Sequence, residues 1–208
     1  MIKISSLLFF AIVVNSCASG YKKINPETIN YASKSIESNI LLEYKYDLLE
    51  KKYKKKETKN NIKLIAVKIT NNTEKEIVFG RDFKLSYENG NEVSLIGTEK
   101  LFITIKQSPV SYLWYLLLTP IQFYAGTTTT SNGYYTETKP ANTFPIGLIV
   151  GPGLAGGNII AASSANKNFK NELMEFEING KTIKKGETVY GLIGLNSNNY
   201  DSIKVKRE

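Results

Sequence analysis

Hydrophobic positions recur every second residue in the first half of the chain. Ile40, Leu42, Tyr44, Tyr46 and Leu48 alternate with Leu41, Glu43, Lys45, Asp47 and Leu49. Ile36, Ile40, Tyr44 and Leu48 also fall at helical spacing, but the period of two, with charge on the opposite face, favours a strand. Lys51 to Asn61 follows as a charged loop. It reads either as a solvated strand connection whose lysines discourage edge pairing or as a basic patch for anionic headgroups. From Ile62 to Lys106 the alternation returns: Ile65, Val67 and Ile69, then Phe83, Leu85 and Tyr87, then Leu101, Ile103 and Ile105. Asn89-Gly90 lies between two such runs, a strong hairpin signal because both residues tolerate positive φ. Short strands about ten residues apart with turns between them predict an antiparallel β-sandwich.

The pattern breaks at Pro109. Residues 110–125 are apolar and aromatic, 126–143 are polar and rich in Thr and Tyr, and 144–163 are apolar again. Strand signals then resume at Met174, Phe176 and Ile178, Asn179-Gly180 makes a turn, and Thr188–Leu195 and Ile203–Val205 complete the pattern. The expected organisation is a sandwich of residues 40–108 and 172–208, interrupted by a hydrophobic, helical hairpin insertion over 109–171. Tyr44, Val67, Ile69, Phe83, Phe176, Tyr190 and Ile193 are its expected core.

The apolar segments leave three readings open: a hairpin that spans a bilayer, one that lies in its interface, or one that packs on the sandwich. Tyr112, Trp114, Tyr115, Phe123 and Tyr124 resemble an interfacial aromatic belt. Against spanning, residues 110–125 give only about 24 Å of helix, and the hydrocarbon core is about 30 Å thick.

Gly151, Gly153 and Gly156 match the dinucleotide fingerprint literally, but the chain beyond Glu172 reads as hairpins rather than βα units. Packing is the better role. Gly147, Gly151 and Ala155 are four residues apart, as are Gly153, Gly157, Ala161 and Ala165, and such small residues let helices approach closely. Gly147, Gly151, Gly153 and Gly157 are therefore the expected packing positions of the hairpin.

Composition narrows the chemistry. Net charge is +8, yet only Arg81 and Arg207 are arginines, while Lys, Asn and Ile together supply 68 of 208 residues. This is the mark of an AT-rich coding bias rather than of a nucleic-acid interface, where bidentate arginine is favoured. Histidine is absent, which removes the commonest general base and metal ligand. Glu172, Glu175 and Glu177 cluster and could serve a small hydrolase, but alternating exposed positions explain Glu175 and Glu177 as well. No calcium-loop pattern occurs, and neither a metal nor a cofactor is expected.

The single cysteine, Cys17, follows Lys3, an apolar run from Leu7 to Val14, and Val14-Asn15-Ser16. That layout is a signal peptide with a small residue before the cut. It resembles a lipobox, and the resemblance implies cleavage after residue 16, acylation of Cys17, and a lipidated tether over 17–39. Three further stretches carry a family resemblance: Ile65-Ala-Val-Lys-Ile-Thr-Asn-Asn-Thr, Ile146-Gly-Leu-Ile-Val-Gly-Pro-Gly, and Gly186-Glu-Thr-Val-Tyr-Gly-Leu-Ile-Gly-Leu. With Cys17-Ala-Ser-Gly-Tyr, the chain resembles uncharacterised lipoproteins of Bacteroidota that carry an Ig-like β-sandwich envelope domain. The resemblance implies a non-catalytic envelope lipoprotein, an interaction or structural module. The alternative is a membrane-inserting component of a transport or assembly complex. The expected partners are membrane lipid, through acylated Cys17 and potentially through residues 110–125 and 144–163, and an envelope protein. In such lipoproteins an acidic run after the cysteine resembles a surface-export signal; Ala18–Lys22 has no acidic residue, so the resemblance implies the outer membrane, facing the periplasm.

Overall fold

The computed structural model describes residues 17–207, and the expected signal peptide, residues 1–16, lies outside them. Among the described residues the chain is mainly β, with strands in antiparallel sheets and three α-helices. It divides into two compact units. Among the described residues, the β unit comprises Ser19–Gln107 and residues 164–207, and the apolar unit comprises Ser108–Ser163 with Cys17 and Ala18.

The β unit is built on a five-stranded sheet. Its order is β1 (Ser33–Glu37), β2 (Ile40–Lys45), β3 (Ile62–Asn71), β10 (Thr188–Asn196) and β6 (Leu95–Ile96). β3 and β10 pair from Ile62–Asn196 to Thr70–Thr188. Two smaller ladders accompany this sheet: β5 (Phe83–Tyr87) with β11 (Ile203–Arg207), and β4 (Ile77–Val78) with β9 (Thr182–Ile183).

Unlike a half-exposed antiparallel strand, β3 is buried along most of its length. The period of two explains how. Ile65, Val67 and Ile69 enter a core shared with β2, β5 and β11. Ile62, Leu64 and Ala66 enter a second core on the opposite face. That face is covered by α1 (Lys51–Lys59), α2 (Thr98–Ile105) and the C-terminal part of α3 (Gly147–Glu175), through Tyr53, Leu101, Ile105 and Phe169. Full burial of each such side chain stabilises the fold by about 1.5–3 kcal/mol. Two glycines of β10 admit the covering layers. A Cβ at Gly191 would lie 2.6 Å from Ile178 Cγ2, and one at Gly194 would lie 2.8 Å from Leu101 Cδ1.

Several elements differ from the sequence reading. The charged stretch after Glu50 is helix α1, because Tyr53 and Glu57, four residues apart, face inward while the lysines stay in water. Leu101, Ile103 and Ile105 do not alternate on a strand: α2 buries Leu101, Phe102 and Ile105 and leaves Ile103 exposed. Residues 172–175 end α3 rather than open a strand, so Phe176 joins the helical core and Met174 faces water. Tyr44, Val67, Ile69, Phe83 and Ile193 lie in the core between the ladders, whereas Tyr190 packs with Phe176 on the helical side. The Asn89-Gly90 turn forms with Gly90 at φ +85°, but its return leg makes a single bridge, and β5 pairs with β11.

The expected lipidated tether, residues 17–39, makes contacts of its own. Ile24 is buried beside Tyr53 and Phe169, and β1 pairs with β2.

Glu57 completes the sheet. β2 ends at Lys45, opposite Ala66, so Leu64 lies beyond that strand and its N–H donates to Glu57 Oε1 at 2.8 Å. Burial pushes the Glu57 carboxyl above its ordinary range, and the Leu64 hydrogen bond offsets this only in part. A group raised on folding contributes stability below its unfolded pKa and loses it as pH rises through the folded value. Glu57→Gln keeps the acceptor without the charge. It should be more stable than wild type at pH 8, with the difference shrinking as pH falls toward 4, measured by urea unfolding across that range.

The glycines give a second test. Gly191→Val should destabilise the fold by about 1–3 kcal/mol through overpacking against Ile178. Gly153→Ala places its Cβ in open space on α3 and should raise stability by about 0.5–1 kcal/mol, as read by thermal and urea unfolding.

Candidate membrane-contact site

The apolar unit begins with a 3-10 segment, Pro109–Leu118, with proline in its first turn. Three residues per turn bring Tyr112, Tyr115 and Leu118 onto one side. The two tyrosine rings are parallel, 6.4 Å apart, and pack with Ala155 and Ala162 of α3. Residues 110–125 are thus a 3-10 segment followed by a strand, not an α-helix. The polar stretch beyond is a β-hairpin of β7 (Phe123–Ser131) and β8 (Thr136–Phe144).

Gly147, Gly151, Ala155, Asn158 and Ala162 form the buried stripe of α3 in this unit. A Cβ at Gly147 would fall 2.2 Å from the Leu118 carbonyl oxygen, and one at Gly151 would fall 2.8 Å from Thr119 Oγ1. Only glycine permits that approach. The four glycines singled out from the sequence therefore divide. Gly147 and Gly151 meet the chain after the 3-10 segment, whereas a Cβ at Gly153 or Gly157 would meet nothing within 4 Å. Helical phase is the reason, because the series Gly153, Gly157, Ala161 lies on the exposed side of the same helix. Gly151, Gly153 and Gly156 all sit inside α3, not in a strand-to-helix turn that could cradle a phosphate.

Cys17 belongs to this unit and is half-buried. The Tyr115 hydroxyl lies 3.9 Å from its Sγ. Burial raises the Tyr112 hydroxyl above its ordinary range, with the Cys17 thiol adding to the effect. The Ala18 N–H donates to Asn158 Oδ1, and Asn158 Nδ2 donates to the Leu154 carbonyl at 2.7 Å.

Leu118, Leu154 and Ile159 pack against the core of Tyr112, Tyr115, Ala155 and Ala162, while many other apolar side chains of the unit face water. Trp114 is 74% exposed, Leu117 67% and Ile149 77%, with Val110, Leu148 and Ile160 similarly open. Exposed apolar side chains in this number make the unit a candidate interaction site. α3 is the one described helix long and apolar enough to cross a membrane by length and composition. Its residues 164–175 belong to the β unit, where Phe169 and Glu172 are buried. The apolar part, 147–163, is about 25 Å long, shorter than a hydrocarbon core of about 30 Å.

A second candidate lies in the β unit. Tyr21, Lys23, Asn168, Asn171, Glu172 and Glu175 line a cleft of about 400 Å³. Glu172 is buried, and its oxygens accept the Ile24 N–H at 3.0 and 3.1 Å, the Asn25 N–H at 2.9 Å and the Tyr21 hydroxyl. Burial and the Glu172 hydrogen bond push the Tyr21 hydroxyl well above its ordinary range. A carboxylate so occupied holds the segment after Ser19 onto α3 and has little capacity left for a substrate. Glu175 is exposed at the cleft, and Glu177 lines different depressions beside α2, so the three glutamates do not converge. A buried amide pair assists the same docking. Gln107 exchanges hydrogen bonds with the Ser19 backbone at 3.1 and 2.6 Å, and Asn166 with the Gln107 backbone at 2.8 and 2.9 Å. Sequence periodicity carries no sign of these contacts, which join residues 59 to 151 positions apart.

Comparison with protein-family models, curated proteins and solved structures finds no match to this chain.

Glu172→Ala would leave two buried N–H groups without their acceptor. It should destabilise the β unit by about 2–4 kcal/mol and speed amide exchange at Ile24 and Asn25. Glu172→Gln, which keeps one carbonyl acceptor, should have a smaller effect, read by hydrogen–deuterium exchange.

Proposed function

We propose that this chain is a non-catalytic, lipid-anchored envelope protein whose apolar unit lies in the membrane interface beside acylated Cys17. The observation that carries the reading is the presence, in one compact unit, of Cys17 and of large apolar side chains turned to solvent. A lipobox cysteine carries a thiol-linked diacylglycerol and an amide-linked chain, enough for stable anchoring. Trp114, Leu117 and Ile149 add an apolar contact in the same unit. The length of 147–163 favours interfacial insertion over spanning, and insertion from one side suits an anchor held in one leaflet.

The exposed surface favours the membrane-acting role over a module that binds protein partners alone. The β unit is read as an Ig-like sandwich with one sheet covered by helices. The core shared by β2, β3, β5 and β11 supports this reading. The proposed place is the periplasmic face of the outer membrane, as the resemblance to Bacteroidota lipoproteins implies.

Two measurements test the proposal. Cys17→Ser should abolish palmitate labelling of the full precursor and leave it uncleaved; continued labelling would overturn acylation at Cys17. The sole tryptophan, Trp114, reports the second. In a Cys17→Ser chain that lacks residues 1–16, and so carries neither acyl groups nor the apolar signal segment, phosphatidylethanolamine–phosphatidylglycerol vesicles should shift its emission to the blue. Leu117→Asp with Ile149→Asp should weaken partitioning by about tenfold or more. An unshifted emission at saturating lipid would refute the membrane contact.

A further inference from the structure

The β7–β8 ribbon is the least supported element of the fold. All its described side chains except Ala125 are exposed, on both faces, and β7 and β8 pair with each other alone among the described strands. An isolated two-stranded ribbon is marginal in water. Its turn is nonetheless well defined. Asn132 Oδ1 accepts the N–H groups of Tyr134 and Tyr135 at 3.3 and 3.0 Å, and Gly133 takes φ +84°. The register is therefore held, with Thr129 opposite Thr138 and Phe123 opposite Phe144.

The two edges of this ribbon are unlike. β8 carries Glu137, Lys139 and Pro140, and Lys139 Nζ pairs with Glu137 Oε1 at 2.8 Å. Charge and proline are the usual means by which an edge is closed to further pairing. β7 reads Phe-Tyr-Ala-Gly-Thr-Thr-Thr-Thr-Ser, with no charge and no proline over nine residues. The outer strands of the main sheet are protected by the same devices that β7 lacks. β1 carries Lys34 and Glu37, and β6 is two residues long.

We infer that the outer edge of β7 pairs with β7 of a second copy of this chain, antiparallel about a two-fold axis, giving a four-stranded β8–β7–β7–β8 sheet. Every second residue of β7 turns its N–H and C=O away from β8, and a partner strand satisfies them. A second copy suits this edge because an uncharged strand set against itself meets no like charge in any register. A two-fold axis also makes the same patch serve both partners. Four consecutive threonines give β-branched cross-strand contacts, which favour pairing. The inference rests on the ribbon and does not require the lipid reading.

The test compares two residues that face each other within one ribbon. Thr129 and Thr138 lie on the same face and are direct partners, so a lysine at either disturbs the hairpin alike. They differ only in the edge they occupy. Full-length protein in detergent is examined by sedimentation velocity as wild type, Thr129→Lys and Thr138→Lys. Wild type should sediment as a dimer. Thr129→Lys should weaken association by about tenfold or more, since it places a charge on the pairing edge of each copy. Thr138→Lys should remain a dimer. A monomeric wild type, as expected if this edge receives an extended peptide of another protein, would overturn the inference. So would a dimer unaffected by Thr129→Lys, or equal dissociation by both variants.

Discussion

Burial of β3 and β10 on both faces is the constraint from which the β unit follows. A strand covered on one side needs only alternate apolar residues. Here the residues between them must also find a dry surface, and Leu64, Ala66 and Leu192 do so beneath the helices. Polar members of the strand are handled individually. Lys63 is buried along its stem and places its Nζ 4.2 Å from the Tyr200 ring centroid, an arrangement that offsets the loss of water. Glu57 supplies the acceptor that β2 no longer provides. Gly191 and Gly194 leave room for Ile178 and Leu101 to press onto the two faces.

The same demand draws in the segment after Cys17. Covering the helical face takes Tyr21 and Ile24 as well as the helices, and the Glu172 carboxylate fixes their backbone. A residue acylated at position 17 would then be followed at once by ordered chain. Ala18 is bonded within the apolar unit, and Ser19 within the β unit.

The apolar unit packs the small residues of α3 against two tyrosines. Gly147, Gly151, Ala155 and Ala162 bury little area of their own, so its cohesion comes from close approach to the 3-10 segment and from the Tyr112–Tyr115 stack. Trp114, Leu117, Ile149 and several neighbours in sequence are turned outward, and this exposure is what supports the proposed lipid contact.

Some of this was legible in the chain alone. The alternation of Ile65, Val67 and Ile69 determined a strand, Gly90 and Gly180 marked turns of positive φ, and Cys17 stood out by its signal context. These are local properties, read within a few residues of backbone. Whether 51–59 and 98–105 are helices was decided elsewhere, because the burial of Tyr53, Glu57, Leu101 and Ile105 depends on a sheet assembled from distant strands. Spacing showed two series of small residues on α3, and only the position of the 3-10 segment selected Gly147 and Gly151 over Gly153 and Gly157. The role of Glu172 was likewise hidden, since a carboxylate exposed on a strand and one buried under a docked segment are the same letter. Periodicity reports which faces are apolar; what each face meets is a long-range property that the tertiary structure alone supplies.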